Sequence, residues 1–242
     1  MKKKLLGLLL VAGLAVPAFA ADTADTQKLD QRLQEAQTTL EQIMGTRDKA
    51  IPDTIASKAY CVAVVPGLIK GAFILGAEYG QGVVTCRTAH GWSGPVFIRL
   101  AGGSWGFQIG GKGTDLVMVA VDKKGMQDLL QSKFKIGAGA SAAAGPVGRS
   151  AQAATDLSMR SELLTWSRSH GLFAGVDLSG VTVSQNATDT TSLYDGRFHD
   201  FSSILNGNVP PPAAAQPFLH MVAQYFGEAK QVHDEHTGSS GN

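Results

Sequence analysis

Apolar residues recur at two different spacings along this chain, and the change between them separates helical from strand-forming regions. Between residues 23 and 47 they follow one another at steps of four, three, four and three, which predicts one stripe of an amphipathic helix. The stripe consists of Leu29, Leu33, Ala36, Leu40 and Ile43. The charges on the other face nearly cancel, so we expect the stripe to dock on the chain's own domain rather than on a membrane or a partner.

Short apolar segments follow from about residue 60, each bounded by glycine, proline or charge. This pattern is typical of antiparallel β structure in a sandwich or barrel. The segments that we predict as strands are 60–65, 72–79, 82–87, 94–100, 103–109, 116–121, 162–168 and 176–183. We expect a turn between the second and third of them, in the segment from Glu78 to Gly82.

Helical patterns return at 123–132, 194–205 and 216–229, and a stiff proline-rich spacer at 209–212 precedes the last of these. The small-residue stretch 135–156 has too few bulky side chains to form a core, so it must pack closely against something larger, unless it is low-complexity disorder. The tail is expected to be disordered, although His233 and His236 offer weak metal ligands. The predicted fold class is α+β: a mainly antiparallel β core, sandwich or barrel-like, with an N-terminal amphipathic helix and C-terminal helices.

The first twenty residues have the order of a secretory signal peptide: Lys2 to Lys4, an apolar run to Val16, and Ala18-Phe19-Ala20. We expect cleavage after Ala20, because the apolar run is too short for a permanent membrane anchor. The mature protein is expected to be soluble and exported, either periplasmic, envelope-associated or secreted. We divide it into a helix at 21–50, a β-rich core at 51–206, and a segment at 207–242 with the spacer, the last helix and the tail.

Removal of the signal changes the charge of the chain. The full sequence has 21 basic and 20 acidic residues, and the signal removes 3 lysines, which leaves 18 against 20 and a net charge of −2. This balance argues against nucleic-acid binding, which depends on an excess of Lys and Arg. In an oxidising compartment a disulfide between Cys61 and Cys86 is the expected state, with two buried free thiols as the alternative. No further ligands at metal-binding spacing accompany them, so we predict neither a metal nor another cofactor.

Two catalytic motifs overlap within residues 102–121, and neither has its required surroundings. The run G-G-S-W-G around Ser104 has the G-x-S-x-G spacing of a serine hydrolase, which needs a sharp strand-to-helix turn at the serine. An aromatic and β-branched pattern with period 2 follows instead of a helix. Asp115 or Asp156 with His170 would complete the order Ser, Asp, His, so hydrolysis through Ser104 is a remote alternative.

The same stretch contains the phosphate-loop spacing G-x-x-x-x-G-K, which ends at Lys112. Gly113 stands where a magnesium-binding Ser or Thr is required, and residues 116–121 are predicted as a strand rather than a helix. We therefore interpret the stretch as two glycine-rich strands, 95–110 and 115–121, joined by a GGKG turn. Glycine in strands serves bends and close backbone approach.

Four blocks in this order resemble the SYLF domain family: SKAYCVAVVPGLIKGAFILGAEYGQGVV, GGSWGFQIGGKGTDLVMV, AGASAAAGPVGR and SRSHGLFAGVDLSG. The resemblance extends from about Ile51 through VPPPAAAQPFLH, a region typical of exported bacterial members. It implies a lipid-binding module without established catalytic residues. Eukaryotic relatives bind phosphoinositides and other acidic phospholipids, and some contact actin through an additional N-terminal segment. The cysteine pair is not a general feature of the family.

An acidic head group needs clustered cations, and the candidates lie around the predicted helix 123–132. They are Lys112, Lys123, Lys124, Lys133 and Lys135, with Phe134 as an apolar insertion between the last two. If these loops share one edge of the sheet, they form a positive patch, and each lysine near an anionic surface contributes about 1 kcal/mol. Ordinary solvated lysines are the alternative. The competing function is a structural or adhesive envelope protein that self-associates through the N-terminal stripe.

Overall fold

The computed structural model describes residues 20–46, 51–73, 75–105, 113–137, 141–146, 162–169, 172–173, 178–197 and 199–227. Within these residues the helices are α1 (Ala20–Met44), α2 (Asp53–Ala56), α3 (Lys123–Leu130), α4 (Ala187–Leu193), α5 (Phe201–Leu205) and α6 (Gln216–Phe226), with a 3-10 turn at Ala213–Ala215. The strands are β1 (Cys61–Phe73), β2 (Leu75–Thr88), β3 (Gly91–Trp92), β4 (Val96–Trp105), β5 (Gly113–Ala120), β6 (Lys133–Lys135), β7 (Ala142–Ala144), β8 (Leu163–Ser169), β9 (Leu172–Phe173) and β10 (Thr182–Gln185).

The strands form one curled sheet, a mostly antiparallel half-barrel. Among the described residues its order is β6-β10-β4-β2-β1-β5-β8-β7, with β3 paired to β2 and β9 paired to β8. Each pair is antiparallel except β7 with β8. Helices lie at the N-terminal and C-terminal ends of the described chain, so the predicted α+β class with an antiparallel β core is confirmed.

Strand β1 changes register where Val65 is followed by Pro66 and Gly67. Proline has no N–H to donate to a neighbouring strand, and Gly67 has a φ of 57°, which favours glycine, so a bulge forms here. From Cys61 to Val65 all residues are 0% exposed, which requires cover on both faces of the sheet. Beyond the bulge, one face of the sheet opens to solvent at Ile69, which is 52% exposed.

Strand β2 runs without a turn through residues 78–82, where the sequence analysis predicts one, so that prediction is wrong. The two glycines serve close packing instead. A Cβ at Gly80 would lie 2.7 Å from Leu68 Cδ1, and a Cβ at Gly82 would lie 2.6 Å from the Val64 carbonyl oxygen. The chain reverses direction earlier, between the end of β1 and the start of β2.

Strands β4 and β5 are separated by two other strands, although the sequence analysis predicts them as a pair joined by a turn. β4 pairs with β2 and β10, whereas β5 pairs with β1 and β8. The hairpin of β1 and β2 therefore lies between them, and the glycine-rich link at 106–112 falls outside the described residues. The alternation of apolar residues identifies a strand but carries no information on which strand lies beside it.

Helix α1 packs on the sheet and on α6, as its apolar stripe predicts. The stripe residues are 0 to 5% exposed and belong to the same hydrophobic core as the strands: Leu29, Leu33, Ala36, Leu40 and Ile43. Because the chain's own sheet and helix cover the stripe, it is not available for self-association in this fold. In the part of the chain that the structure describes, no helix has both the length and the apolar content to cross a bilayer.

Within the predicted helix 194–205, the described residues are helical at 201–205, which form α5. Helix α4 ends at Leu193, before the predicted start, and the sequence does not predict it. Asp195 and Gly196 have φ values of 56° and 74°, a left-handed conformation that ends a right-handed helix. Helix α6 begins at the predicted residue. The left-handed turn therefore lies where the predicted helix would begin, and α5 starts at Phe201.

Part of the small-residue stretch packs against Trp166 of β8. A Cβ at Gly145 would lie 2.1 Å from the indole ring, and Trp166 Nε1 donates a hydrogen bond to the Pro146 carbonyl oxygen at 3.2 Å. This is the close packing against a larger group that the composition predicts. Residues 138–140 and 147–161 of the stretch lie outside the described residues.

Candidate functional site

One face of the sheet, which we call the open face, carries Phe97, Arg99 and Ala101 at alternate positions of β4. Helix α1 covers this face at Phe97, where the Arg32 guanidinium lies 5.1 Å from the centroid of the phenyl ring. The cover does not extend to Ala101, which is exposed. Neighbouring strands therefore present their side chains to solvent at the level of Ala101.

Strand register places five residues in one line across the open face, which we call the exposed row. Each member is the direct cross-strand partner of the next: Lys135 of β6, Thr182 of β10, Ala101 of β4, Tyr79 of β2 and Ile69 of β1. Direct partners point to the same face and neighbouring strands lie about 4.8 Å apart, so the row spans about 19 Å. Thr182 is partly exposed and the other four residues are exposed.

A second line of direct partners runs beside the exposed row, two residues away on each strand. It contains Lys133 of β6, Ser184 of β10, Arg99 of β4 and Gln81 of β2. Three cations and two hydroxyl groups from the two lines share the open face on three adjacent strands. We call these residues the basic patch: Lys133, Lys135, Arg99, Thr182 and Ser184.

Arg99 is oriented by the residues that follow β10. Its Nη2 donates a hydrogen bond to the Asn186 side-chain oxygen at 2.7 Å, and Asn186 is 1% exposed. Arg99 Nε is buried without a hydrogen-bond partner among the described residues. Next to Asn186, Asp189 is occupied by an ion pair with Arg32 at 2.5 Å. The hydrogen bond to Asn186 therefore orients the Arg99 guanidinium on the open face.

No carboxylate neutralises the basic patch in the described part of the chain. The ion pairs among the described residues involve none of Arg99, Lys133 and Lys135. Both lysines are exposed on an edge strand. The patch thus presents local positive charge on a chain whose overall charge is nearly balanced.

Two apolar side chains lie at the other end of the exposed row. Ile69 and Tyr79 are 52% and 47% exposed, and they are the exposed large hydrophobic residues in the described part of the chain. On the opposite face at the same level, Leu68 and Leu100 are 0% exposed. The sheet is therefore packed on one face and open on the other at this level. The sequence does not predict this pair as an exposed site, because Ile69 lies between two predicted strands and Tyr79 lies where a predicted strand meets the predicted turn.

The structure separates the predicted lysines into two groups. Lys133 and Lys135 lie in the basic patch. Lys123 and Lys124 begin α3, which follows the C-terminal end of β5. That end of β5 lies beside the start of β1. The exposed row meets β5 at the opposite end of that strand, at Gly113. Since β5 has 8 residues, its two ends are about 24 Å apart. Lys112 lies outside the described residues.

Lys124 is engaged within its own part of the fold. Its Nζ forms an ion pair with Glu162. Burial raises the pKa of Asp128 on the same helix, and the charge of Lys124 opposes that shift. Lys123 is exposed. These two residues lie in a separate region from the basic patch.

Phe134 points away from the lysines on either side of it. It is 6% exposed and pairs with Val183, which is 2% exposed, within the core. Alternate residues of a strand point to opposite faces, so exposure of Lys133 and Lys135 goes with burial of Phe134. The predicted apolar insertion at Phe134 is therefore not available in this fold.

Cys61 and Cys86 are direct partners on β1 and β2. Their sulfur atoms lie 2.02 Å apart, and both residues are 0% exposed. Strand pairing thus brings together the two cysteines that the sequence predicts to form a disulfide. They lie at the end of β1 away from Ile69.

Ser104 lies within β4, opposite Gly76 of β2. A hydrolase nucleophile needs a turn from strand into helix at the serine, whereas this strand continues to Trp105. The suggested partner His170 lies outside the described residues, as do the histidines of the tail. In the ranges that the structure describes, no three His, Cys, Asp or Glu side chains group as metal ligands do.

The fold and the site define a class of protein: an α+β half-barrel with cations and apolar side chains on one open sheet face. A family model described as "Ysc84: Las17-binding protein actin regulator" matches residues 101–225, which include all of the basic patch except Arg99. The chain belongs to this Ysc84 family, and the resemblance to the SYLF domain family is confirmed.

Individual relatives extend the similarity over most of the chain. Protein YSC84 of Saccharomyces cerevisiae is 31% identical over 199 residues, which cover 80% of this chain and 42% of the relative. SH3 domain-containing YSC84-like protein 1 of Rattus norvegicus is 32% identical over 182 residues, which cover 74% of this chain and 52% of the relative. The chain thus spans about half the length of these curated relatives. Their names describe no enzyme.

Proposed function

We propose that this protein is exported and binds acidic phospholipid at the cell envelope without catalysis. The observation that carries the proposal is the basic patch, with three cations and two hydroxyl groups on one open face. In proteins, phosphate oxygens accept hydrogen bonds from ammonium, guanidinium and hydroxyl groups. The resemblance to the SYLF family supports the same class of ligand.

The expected affinity is modest and depends on salt. Each Lys or Arg near an anionic membrane contributes about 1 kcal/mol, so three cations contribute about 3 kcal/mol, a factor on the order of 100 in partitioning. Surface charges act over a Debye length of about 8 Å at physiological ionic strength, so added salt weakens the association. The protein must therefore approach the membrane with the patch first.

Export rests on the sequence of the first twenty residues. The lysines, the apolar run and Ala18-Phe19-Ala20 match the parts of a cleaved signal peptide. We expect N-terminal sequencing of the protein from cells to begin at Ala21, and the protein to fractionate with the envelope. A chain that still begins at Met1 would contradict this part of the proposal.

Vesicle co-sedimentation tests the lipid part. The exported form of the chain is mixed with phosphatidylcholine vesicles that contain or lack phosphatidylglycerol. We expect binding only to the anionic vesicles and its loss at high salt. Lys133→Ala combined with Lys135→Ala is expected to lower partitioning about thirtyfold, because two cations contribute about 2 kcal/mol.

A matched variant controls for net charge. Lys58→Ala combined with Lys123→Ala removes two exposed lysines at the other end of the sheet, beside the start of β1 and the end of β5. We expect this variant to bind nearly as the unchanged protein does. Equal losses in both variants would show that net charge, and not the basic patch, governs binding.

Protein partners are the alternative that the comparisons raise. The family description names Las17 binding and actin regulation, which belong to the relatives. Co-sedimentation with actin filaments is therefore the counter-test. Binding to filaments without binding to any acidic vesicle would overturn the lipid proposal in favour of a protein partner.

A further inference from the structure

Ile69 and Tyr79 continue the basic patch along the same line of the sheet. Tyr79 is the direct partner of Ala101, Ala101 that of Thr182, and Thr182 that of Lys135. Since direct partners share a face, the apolar pair and the lysine point in one direction across about 19 Å. We propose that Ile69 and Tyr79 insert into the interfacial layer of a bilayer, so that the exposed row is the membrane-facing line of the protein. This inference rests on the proposed function.

Small residues surround the apolar pair on the open face. The exposed Ala101 lies beside Tyr79 and the exposed Gly113 lies beside Ile69. One step further along the strands, Ala77 and Gly103 form an exposed direct pair. Because none of these neighbours has a long side chain, Ile69 and Tyr79 protrude above the sheet and can contact a flat surface first.

The chemistry of the two side chains suits the boundary between water and lipid. Tyrosine is enriched at membrane interfaces, where its ring lies among apolar groups and its hydroxyl bonds to head groups. Isoleucine gains free energy in proportion to the apolar area that leaves water. Both side chains are held on a sheet whose opposite face is packed, so binding requires little ordering of the chain.

Charge favours a bilayer over a second copy of the chain as the occupant of this face. The exposed row and the line beside it contain three cations and no carboxylate. On the same face, the Asp115 carboxylate already pairs with Arg168 at 3.9 Å. Two copies that docked through this face would therefore bury the three cations without a free acidic partner from these lines, which is unfavourable. An acidic phospholipid surface supplies phosphate groups for the cations and an apolar layer for Ile69 and Tyr79.

Vesicle binding by the variant Ile69→Thr/Tyr79→Thr tests the inference. Threonine keeps a β-branched side chain in the strand but removes most of the apolar area. We expect about tenfold weaker partitioning into phosphatidylglycerol-containing vesicles, with the same dependence on salt as the unchanged protein. The variant Lys133→Ala/Lys135→Ala is expected both to weaken partitioning and to reduce its dependence on salt. Circular dichroism and urea unfolding verify that both variants fold.

An environment-sensitive fluorophore gives a second measurement. It is attached to Tyr79→Cys, or in the control to Gln127→Cys, an exposed position on α3. With acidic vesicles we expect a blue shift at position 79, quenched by spin-labelled lipid, and no change at position 127.

Three outcomes would overturn the inference, and they differ in what they say of the proposed function. If the unchanged protein binds acidic vesicles but the threonine variant binds equally and the label at position 79 does not respond, insertion is wrong and lipid binding stands. If the unchanged protein binds no acidic vesicle, both are wrong. If the label at position 79 responds to protein concentration without vesicles, and light scattering shows a dimer, the face is occupied by a second copy.

Discussion

At the scale of single residues, Tyr194 shows how closely a polar group is enclosed in this fold. Its side chain is 6% exposed and its hydroxyl donates a hydrogen bond to the Pro95 carbonyl oxygen at 3.2 Å. Gly94 leaves the space for it, because a Cβ there would lie 2.1 Å from the Tyr194 oxygen. Burial raises the pKa of Tyr194 well above its ordinary value, so the folded state favours the neutral hydroxyl.

This raised pKa predicts a loss of stability in alkaline solution. The stabilisation is complete below about pH 10 and is lost as the pH rises above it, because the unfolded chain ionises first. At about pH 8 we expect Tyr194→Phe to lower the free energy of unfolding by about 1 kcal/mol through the lost hydrogen bond. At about pH 11 this difference from the unchanged protein is expected to fall by about 1.4 kcal/mol. Urea unfolding measures it, and a difference that does not vary with pH would contradict a buried neutral hydroxyl.

Whether a residue is exposed can be predicted from the sequence only where polar and apolar residues alternate. Lys133, Phe134 and Lys135 alternate, and the period-2 rule places Phe134 opposite its neighbours, as the structure shows. Our expectation of an apolar insertion there followed adjacency along the chain instead. Leu68 and Ile69 are both apolar, yet one is 0% and the other 52% exposed. Consecutive strand residues point to opposite faces, and which face is covered depends on packing by distant elements, which the local pattern does not contain.

At the scale of elements, Arg87 of β2 connects the last helix to the sheet. Its Nη2 donates a hydrogen bond to the Phe226 carbonyl oxygen at 2.7 Å, and its Nε donates one to the Ala59 carbonyl oxygen at 2.9 Å. The guanidinium lies 4.7 Å from the centroid of the Trp92 ring. Phe226 ends α6, where carbonyl groups lack partners within the helix and favour a cation. One side chain thus holds the C-terminal end of α6.

We expect Arg87→Lys to loosen α6 while the sheet stays intact. An ammonium group has no planar fork that bonds to two separate carbonyl oxygens and also lies flat on an indole ring. The free energy of unfolding is expected to fall by about 1 to 2 kcal/mol, with faster amide exchange in α6 than in β1. Arg197→Lys, at an exposed position, is the control and is expected to change stability by less than about 0.5 kcal/mol. Equal effects of the two substitutions would contradict the role of Arg87.

Helices and strands are more predictable from this sequence than the pairing between strands is. The stripe of α1 has period 3.6 over many residues, so both its existence and its buried face follow from the pattern. The glycines at 80 and 82 suggested a turn, but the same residue type also permits the close approach of β1 seen here. The exposed row draws on five strands spread from β1 to β10, so its members meet only through the pairing of distant segments. No local pattern contains that pairing.

At the scale of the whole molecule, the cysteine pair and the apolar pair lie on the same two strands. Cys61 faces Cys86 near one end of the β1–β2 pairing, and Ile69 faces Tyr79 beyond the bulge. A slip of one residue between the strands would turn a side chain to the other face. A disulfide between the cysteines, which we predict, would therefore help to hold Ile69 and Tyr79 on the open face beside the lysines.

The cysteine pair yields a prediction for the protein as a whole. Protein from an oxidising compartment is expected to show no reactive thiol in denaturant before reduction and 2 afterwards, by thiol counting. Reduction is expected to lower the free energy of unfolding by about 3.5 kcal/mol, because the sequence separation of 25 sets the loop entropy. Comparison of Cys61→Ala/Cys86→Ala with the reduced protein separates the effect of the bond from that of the lost side chains. Reactive thiols before reduction would contradict the disulfide, and an unchanged urea midpoint after reduction would contradict its contribution to stability.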